Sequence, residues 1–191
     1  LCCWLNLYTL WNRGCIMPNT FTKIASVSVG VLGASTIDFT SIPSTYTDLC
    51  VKLSTRCNYA GGSLLGGLRF NGDTSSIYSN RQLYWDTGGS ALSASNSANN
   101  FAYALANVGA TATSNTFSNN DIYIPNYAGN SNKSYSNDGV AENNATTPIY
   151  LVLLAGLWAS TSAITSITIF AGGGANFVQY STATLYGIKN S

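Results

Sequence analysis

The sequence contains no histidine, and this absence narrows the chemistry that the protein can perform. Histidine is the commonest general base, the usual partner of serine and cysteine nucleophiles, and a frequent ligand of zinc and iron. Seven acidic residues are present, and two facing carboxylates could in principle hydrolyse a glycan. They fall mostly at predicted strand ends and turns, where acidic residues are ordinary. We therefore predict that the protein is not an enzyme and has no catalytic residues.

Charge is also scarce. Only 8% of the residues are charged, the formal net charge is +1, and no run of basic residues occurs. Such a chain lacks the electrostatic field that attracts nucleic acid or an anionic membrane surface. Neither a P-loop nor a GxGxxG motif is present, and no Asn/Asp-rich turn has the spacing of a calcium loop. The sequence predicts no cofactor, no metal, and no nucleic-acid or membrane partner.

The cysteines do not form a disulfide framework. Three of the five precede residue 17, which leaves Cys50 and Cys57 in the remainder of the chain. Residues seven apart in one extended strand point to opposite faces and lie roughly 23 Å apart. A disulfide needs Cα atoms within roughly 7 Å of each other. We expect Cys50 and Cys57 to be free thiols.

Residues 1–16, LCCWLNLYTLWNRGCI, differ in composition from the rest of the chain. A signal peptide has a basic region before its apolar stretch, but here the single charge, Arg13, follows the apolar stretch. The apolar run of about ten residues is half of the roughly twenty that a transmembrane helix needs. We interpret residues 1–16 as a non-native upstream or disordered segment, with the natural start at Met17 and a single domain over residues 17–191.

From residue 21 onward the pattern predicts β-strands almost throughout. Alternating apolar residues such as Leu49, Val51 and Leu53 indicate strands with one buried face. Residues 149–159 form an apolar run that fits a strand buried on both faces, with a core helix as the alternative. Polar segments that we predict to be loops separate the strands: residues 58–67, 88–100, 109–120 and 126–147. Eight to ten strands without an amphipathic helix predict an all-β, antiparallel, jelly-roll-like β-sandwich.

The clearest local signal spans residues 68–86, LRFNGDTSSIYSNRQLYWD. Two stretches with a period of two flank Asn71-Gly72-Asp73, whose residues tolerate positive φ. A four-residue loop over residues 71–74 would place Leu68 opposite Ile77. We therefore predict a β-hairpin here.

The same stretch holds the best binding candidates, the aromatic residues Tyr78, Tyr84 and Trp85 together with Arg81. Aromatic faces stack on sugars or on a partner's side chains, and arginine adds planar hydrogen bonding. The alternative is structural, because tyrosine and tryptophan are favoured strand residues that pack across sheets.

Several segments resemble a family of small virion proteins of tailed bacteriophages. These segments are residues 35–43 (STIDFTSIP), 45–49 (TYTDL), 68–73 (LRFNGD) with Tyr78 and Arg81, and 183–188 (ATLYGI). The resemblance covers residues 17–191 and carries no catalytic signature. It implies a non-enzymatic structural protein of the virion, either a capsid decoration (cement) protein or part of a tail appendage. The implied partners are other virion subunits, the major capsid protein or tail proteins, and further copies of the chain as a homotrimer.

Two other functions stay open at this point. A carbohydrate-binding module or receptor-binding tip would use Tyr78, Arg81, Tyr84 and Trp85 with residues 126–147, and would show an exposed aromatic platform flanked by Asp and Asn. A glycan-degrading enzyme would need two carboxylates roughly 5–10 Å apart in a cleft.

Overall fold

The computed structural model describes residues 20–85, 90–143 and 150–189, and within these ranges every regular element is a strand. The twelve strands are β1 (Phe21–Ser28), β2 (Thr36–Phe39), β3 (Asp48–Ser54), β4 (Ser63–Phe70), β5 (Tyr78–Trp85), β6 (Ala91–Asn99), β7 (Ala102–Val108), β8 (Asn119–Ile124), β9 (Lys133–Ala141), β10 (Tyr150–Trp158), β11 (Ile167–Phe170) and β12 (Thr182–Ile188). The segment 1–16, predicted to be non-native or disordered, lies outside the described residues.

The strands form two antiparallel sheets. One has eight strands in the order β1-β12-β3-β8-β9-β10-β5-β6, and the other has four in the order β2-β11-β4-β7. The first four strands of the large sheet follow the same order as the four strands of the small sheet. At each place in that order, the two strands are consecutive in the chain: β1 and β2, β12 and β11, β3 and β4, and β8 and β7. Such an order is that of two Greek keys packed as a jelly roll. The predicted antiparallel, jelly-roll-like β-sandwich is confirmed.

The other four strands are two additional hairpins. β5 and β6 lie between β4 and β7 in the chain, and β9 and β10 lie between β8 and β11. The hairpins pair with each other through β5 and β10, and together they extend the large sheet beyond β8. Strand β7 of the small sheet packs against three of these added strands, β9, β10 and β5. The strand count therefore exceeds the predicted eight to ten.

A hydrophobic core fills the space between the sheets. Alternate residues of each strand point inward, including Val51 and Ile122 in the large sheet and Leu68 and Ile169 in the small sheet, all fully buried. Burying each such side chain contributes about 1.5–3 kcal/mol.

Aromatic residues fill the core beneath the second hairpin. The Trp158 ring lies 5.5 Å from that of Phe70 and stacks on that of Tyr78 at 6.3 Å. The cluster therefore joins the end of β10 to strands of both sheets.

The predicted hairpin over residues 68–86 is wrong. β4 and β5 belong to different sheets, and Leu68 pairs with Ile169 and Ala102 instead of Ile77. Asn71 explains the crossing, because its backbone N–H donates to the carbonyl of Ser166 at 3.0 Å and ties the end of β4 to the segment before β11. The following residues cross from the small sheet to the large one.

All four predicted loops contain strand residues. Residues 58–67 include the start of β4, residues 88–100 include β6, residues 109–120 include the first two residues of β8, and residues 126–147 include β9. β6 was missed because its residues are mostly Ala, Ser and Asn, and it has no buried apolar face at its sheet edge. Buried and more exposed residues alternate regularly along β9. The sequence does not show this strand as an apolar pattern, because the buried residues are Lys133, Tyr135, Asn137, Gly139 and Ala141.

The apolar run at residues 149–159 forms strand β10, so the predicted strand is correct for the residues described. Its predicted burial on both faces is wrong. Val152 and Leu154 are buried, but Leu151 is 48% exposed and Leu153 is 56% exposed. No strand of the small sheet covers this outer side, because that sheet packs on the inner face.

Candidate functional site

The outer face of the large sheet is the candidate functional surface. Directly opposed residues on neighbouring antiparallel strands share a face, so the strand register assigns each side chain to the inner or the outer side. Leu151 opposes Trp85, Leu153 opposes Leu83, and Ala155 opposes Arg81, which places these residues together on the outer face.

The four predicted binding residues are divided between the two faces. Tyr78 and Tyr84 point inward, and Arg81 and Trp85 point outward, because they alternate along β5. Tyr78 is 1% exposed and lies in the core, where its hydroxyl accepts a hydrogen bond from the backbone N–H of Phe70 at 3.2 Å. Tyr84 stacks on Tyr150 with ring centroids 5.7 Å apart. The structure therefore brings only Arg81 and Trp85 to a common surface.

Four side chains form an exposed apolar patch, which we define as Leu83, Trp85, Leu151 and Leu153. They are 60%, 42%, 48% and 56% exposed respectively. A groove of about 710 Å³ is lined by Leu83 and Leu153 and by the side chain of Arg81. A second depression of about 450 Å³ lies beside Trp85 and Leu151. Contiguous apolar surface of this kind is a candidate contact site for another molecule.

The other half of the outer face is polar. The ammonium of Lys52 forms an ion pair with the carboxylate of Asp121, which also accepts a hydrogen bond from the Cys50 thiol at 3.1 Å. Burial and the Asp121 carboxylate raise the pKa of Cys50 to about 12, so this thiol stays protonated and unreactive at neutral pH. Asp138 lies directly opposite Asp121 on β9.

Two exposed aromatic rings border these charges. Phe21 is 50% exposed and Tyr123 is 38% exposed, and both line a depression of about 270 Å³ together with Asp121 and Asp138. The Tyr123 hydroxyl donates a hydrogen bond of 2.6 Å to Asp48, and this bond raises the pKa of Tyr123 to about 12. This hydrogen bond holds the Tyr123 hydroxyl in place while the side chain stays partly exposed.

The described residues include no cluster of three metal-ligating side chains. Their regular elements are all strands, so they contain no helix that could span a bilayer. The predicted free thiols, Cys50 and Cys57, are both buried and unpaired by disulfides. Asp121 and Asp138 are the carboxylates that the fold places side by side, and Lys52 engages the first of them.

Sequence reasoning missed most of the apolar patch. The signal was the two-residue spacing of Leu83 with Trp85 and of Leu151 with Leu153. Leu151 and Leu153 lie inside an apolar run, which predicted burial of both faces. The alternation of buried and exposed residues along β10 therefore could not be recognised from the sequence.

Comparison with known proteins returns no match: no protein-family model matches the chain, and neither does any curated protein or solved structure.

Proposed function

We propose that this chain is a non-enzymatic structural protein of a tailed-phage virion and that it decorates the capsid. The observation that carries the proposal is the exposed apolar patch on the outer face of a jelly roll. The resemblance of residues 17–191 to small phage virion proteins supplies the biological setting. The partner is then the major capsid protein, present in many copies.

The patch suits docking onto a repeated protein surface. Covering a leucine or tryptophan side chain contributes on the order of 1–2 kcal/mol when the side chain is already half buried. Four such residues give a modest single contact, which a multi-copy lattice strengthens by avidity. Arg81 borders the groove and can fix orientation through planar hydrogen bonds.

The electrostatics of the chain agree with such docking. The net charge of +1 gives no long-range steering, so recognition depends on shape and neutral hydrogen bonds. A surface rich in Ser, Thr and Asn provides the hydrogen-bonding groups.

The test uses particles of the phage whose genome encodes this chain. Mass spectrometry of gradient-purified particles should find the chain as a stoichiometric component. Particles assembled without the gene should then bind the purified protein, and the variant Leu83→Asp/Leu153→Asp should bind at least about tenfold more weakly, since it places two charges in the buried contact.

The matched control is Ser26→Asp/Ser28→Asp. Both serines are exposed on the outer face at the opposite edge of the same sheet, where Ser26 opposes Thr184. Equal loss of binding by both variants, or purified particles that lack the chain, would overturn the proposal. Retention on tail fragments instead of capsids would assign the chain to a tail appendage.

A second candidate is glycan or receptor binding, favoured by Phe21 and Tyr123 beside Asp121 and Asp138. Exposed aromatic faces flanked by carboxylates suit a sugar ring, which stacks on one and hydrogen-bonds to the other. A glycan array probed with the purified chain tests this function. Binding that is lost in Phe21→Ala and kept in Leu83→Asp, whose side chain does not line that depression, would favour it over decoration.

A further inference from the structure

Four strands form the edges of the two sheets: β1 and β6 in the large sheet, and β2 and β7 in the small sheet. An edge strand has backbone N–H and C=O groups that face away from its neighbour and can pair with another chain. Proteins prevent such pairing with side chains that satisfy these groups, with charge, with bulges, or with very short strands.

The edge of β7 is satisfied by side chains. The amide oxygen of Asn120 accepts from the N–H of Ala106 at 2.8 Å, and the amide nitrogen of Asn120 donates to the Ala106 carbonyl at 3.0 Å. The Tyr135 hydroxyl donates to the Tyr103 carbonyl at 3.2 Å. These contacts replace the neighbouring strand that β7 lacks.

The edges β1 and β2 are protected by other means. β1 has an exposed lysine, Lys23, and a bulge between Lys23 and Ala25. β2 is four residues long and carries the exposed Asp38. Neither edge offers a long, uncharged strand to a partner.

Among the residues that the structure describes, none of these protections occurs along most of the length of β6. It is nine residues long, and its pairing with β5 is regular from Ala91 to Asn96, with the irregularity confined to the far end near Ala98. The sequence contains no charged residue and no proline from residue 87 to residue 120. β6 is therefore the edge that can accept another strand.

We propose that β6 pairs antiparallel with β6 of a second copy of this chain, about a two-fold axis at Ala94, so that the two large sheets become continuous. A two-fold contact requires each edge to present the same pattern in both directions. In residues 91–97, ALSASNS, positions at equal distance on either side of Ala94 carry side chains of similar size. Ser93 then faces Ser95 of the second copy, and Ala94 faces its own equivalent.

The chemistry of β6 favours a second copy over a different partner. Identical edges repel when they are charged, whereas this edge is neutral and consists largely of Ala and Ser. Opposed serines can hydrogen-bond across the two strands. Leu92 is 39% exposed at this edge and would be covered by the new strand. The assembly is a dimer, unlike the trimer that the phage resemblance implies, and it does not depend on the proposed virion role.

Sedimentation of the full chain under reducing conditions tests the inference. We expect the wild type to sediment with twice the chain mass of 20.1 kDa, and Ser93→Lys/Ser95→Lys to sediment as a monomer. The control Ser26→Lys/Ser28→Lys carries the same added charge on the opposite edge and should remain dimeric. A monomeric or trimeric wild type, or a dimer unaffected by the lysines at positions 93 and 95, would overturn the proposal.

Crosslinking tests the position of the axis independently of stability. With Cys2, Cys3 and Cys15 replaced by serine, Ala94→Cys should form a covalent dimer on oxidation, and Ser28→Cys should not. Far-UV circular dichroism that matches the wild type shows that each variant folds. Failure of Ala94→Cys, Ser93→Cys and Ser95→Cys alike to crosslink would contradict pairing through β6, whatever the outcome of the particle-binding experiment.

Discussion

The carboxylate of Asp73 accepts a hydrogen bond from the indole Nε1 of Trp158 at 2.8 Å, although the two residues are 85 positions apart in the chain. Asp73 lies on the segment that crosses from β4 to β5, and Trp158 ends β10. The same carboxylate accepts from the backbone N–H of Ser75 at 2.8 Å and from the Ser75 hydroxyl. One side chain therefore fastens the crossing segment to the aromatic cluster of the core.

Stability should depend on pH through Asp73. The hydrogen bonds from Ser75, and then the one from Trp158, hold the pKa of Asp73 below its ordinary value. The unfolded chain therefore binds this proton more readily than the folded chain does. The stabilisation is complete above the unfolded pKa of about 3.9 and is lost as the pH falls through the lower folded value.

Urea unfolding of the wild type and Asp73→Asn measures this dependence. The variant should be less stable at about pH 6, and the difference should shrink below about pH 4. Ser75→Ala removes the largest cause of the lowered pKa and should reduce the pH dependence. A difference between wild type and Asp73→Asn that stays constant down to about pH 3 would count against the assignment.

Asn71 should be the most sensitive residue of the crossing. Its side-chain oxygen accepts from the N–H groups of Thr165 at 2.8 Å and Ser166 at 3.1 Å, its amide donates to the Ala163 carbonyl at 2.8 Å, and its φ is 53°. Asn71→Ala loses these bonds and keeps a strained backbone, so it should cost about 2–3 kcal/mol.

Asn71→Gly separates the two contributions, because glycine adopts positive φ without strain. It should be about 1 kcal/mol more stable than Asn71→Ala by urea unfolding. Equal stability of the two variants would show that the backbone conformation contributes nothing.

Lys133 should contribute strongly to stability although its charged side chain is buried. It is 1% exposed, and its ammonium donates to the carbonyls of Gly129 at 2.7 Å, Thr161 at 3.3 Å and Ser131. Lys133→Met leaves these carbonyls without their donor and should cost about 3 kcal/mol. The control Lys52→Met removes an ion pair whose lysine side chain is 50% exposed, and it should cost less than about 1 kcal/mol. Chemical denaturation of both variants decides, and a larger loss for Lys52→Met would refute this reading.

The two described thiols should resist modification in the native state. Burial raises the pKa of both Cys50 and Cys57, which keeps them protonated. With Cys2, Cys3 and Cys15 replaced by serine, a thiol reagent at neutral pH should label neither residue until urea unfolds the protein, and should then label both. Rapid labelling of the folded protein would contradict the burial.

The strands that the sequence predicts well are those whose buried face is apolar. Leu49, Val51 and Leu53 alternate with the residues between them, and the structure places β3 there. β9 escapes prediction because Lys133 and Asn137 occupy inward positions. The carbonyls that make Lys133 tolerable come partly from Thr161, a distant residue that no local pattern reveals.

The crossing between β4 and β5 was also missed because distant residues determine it. Asn71-Gly72-Asp73 is a turn sequence in both interpretations, and only the bonds from Asn71 to Thr165 and Ser166 decide between a hairpin and a change of sheet. Those partners lie more than ninety residues away.

The candidate site was partly within reach of the sequence. Residues an odd number of positions apart in a strand face opposite sides, which separates Tyr78 from Arg81 without any coordinates. The exposure of Leu151 and Leu153 was beyond reach, because it depends on which side of β10 the small sheet covers.

The mutual pairing of β5 with β10 makes the two additional hairpins interdependent. Removing β5 and β6 alone would leave β10, which carries Leu151 and Leu153, as a new unpaired edge, and would remove Tyr78 from its stack on Trp158. Removing both hairpins would return the molecule to a plain eight-stranded jelly roll. A shortened version of this protein would therefore have to lose both hairpins together, although they are separate segments of the chain.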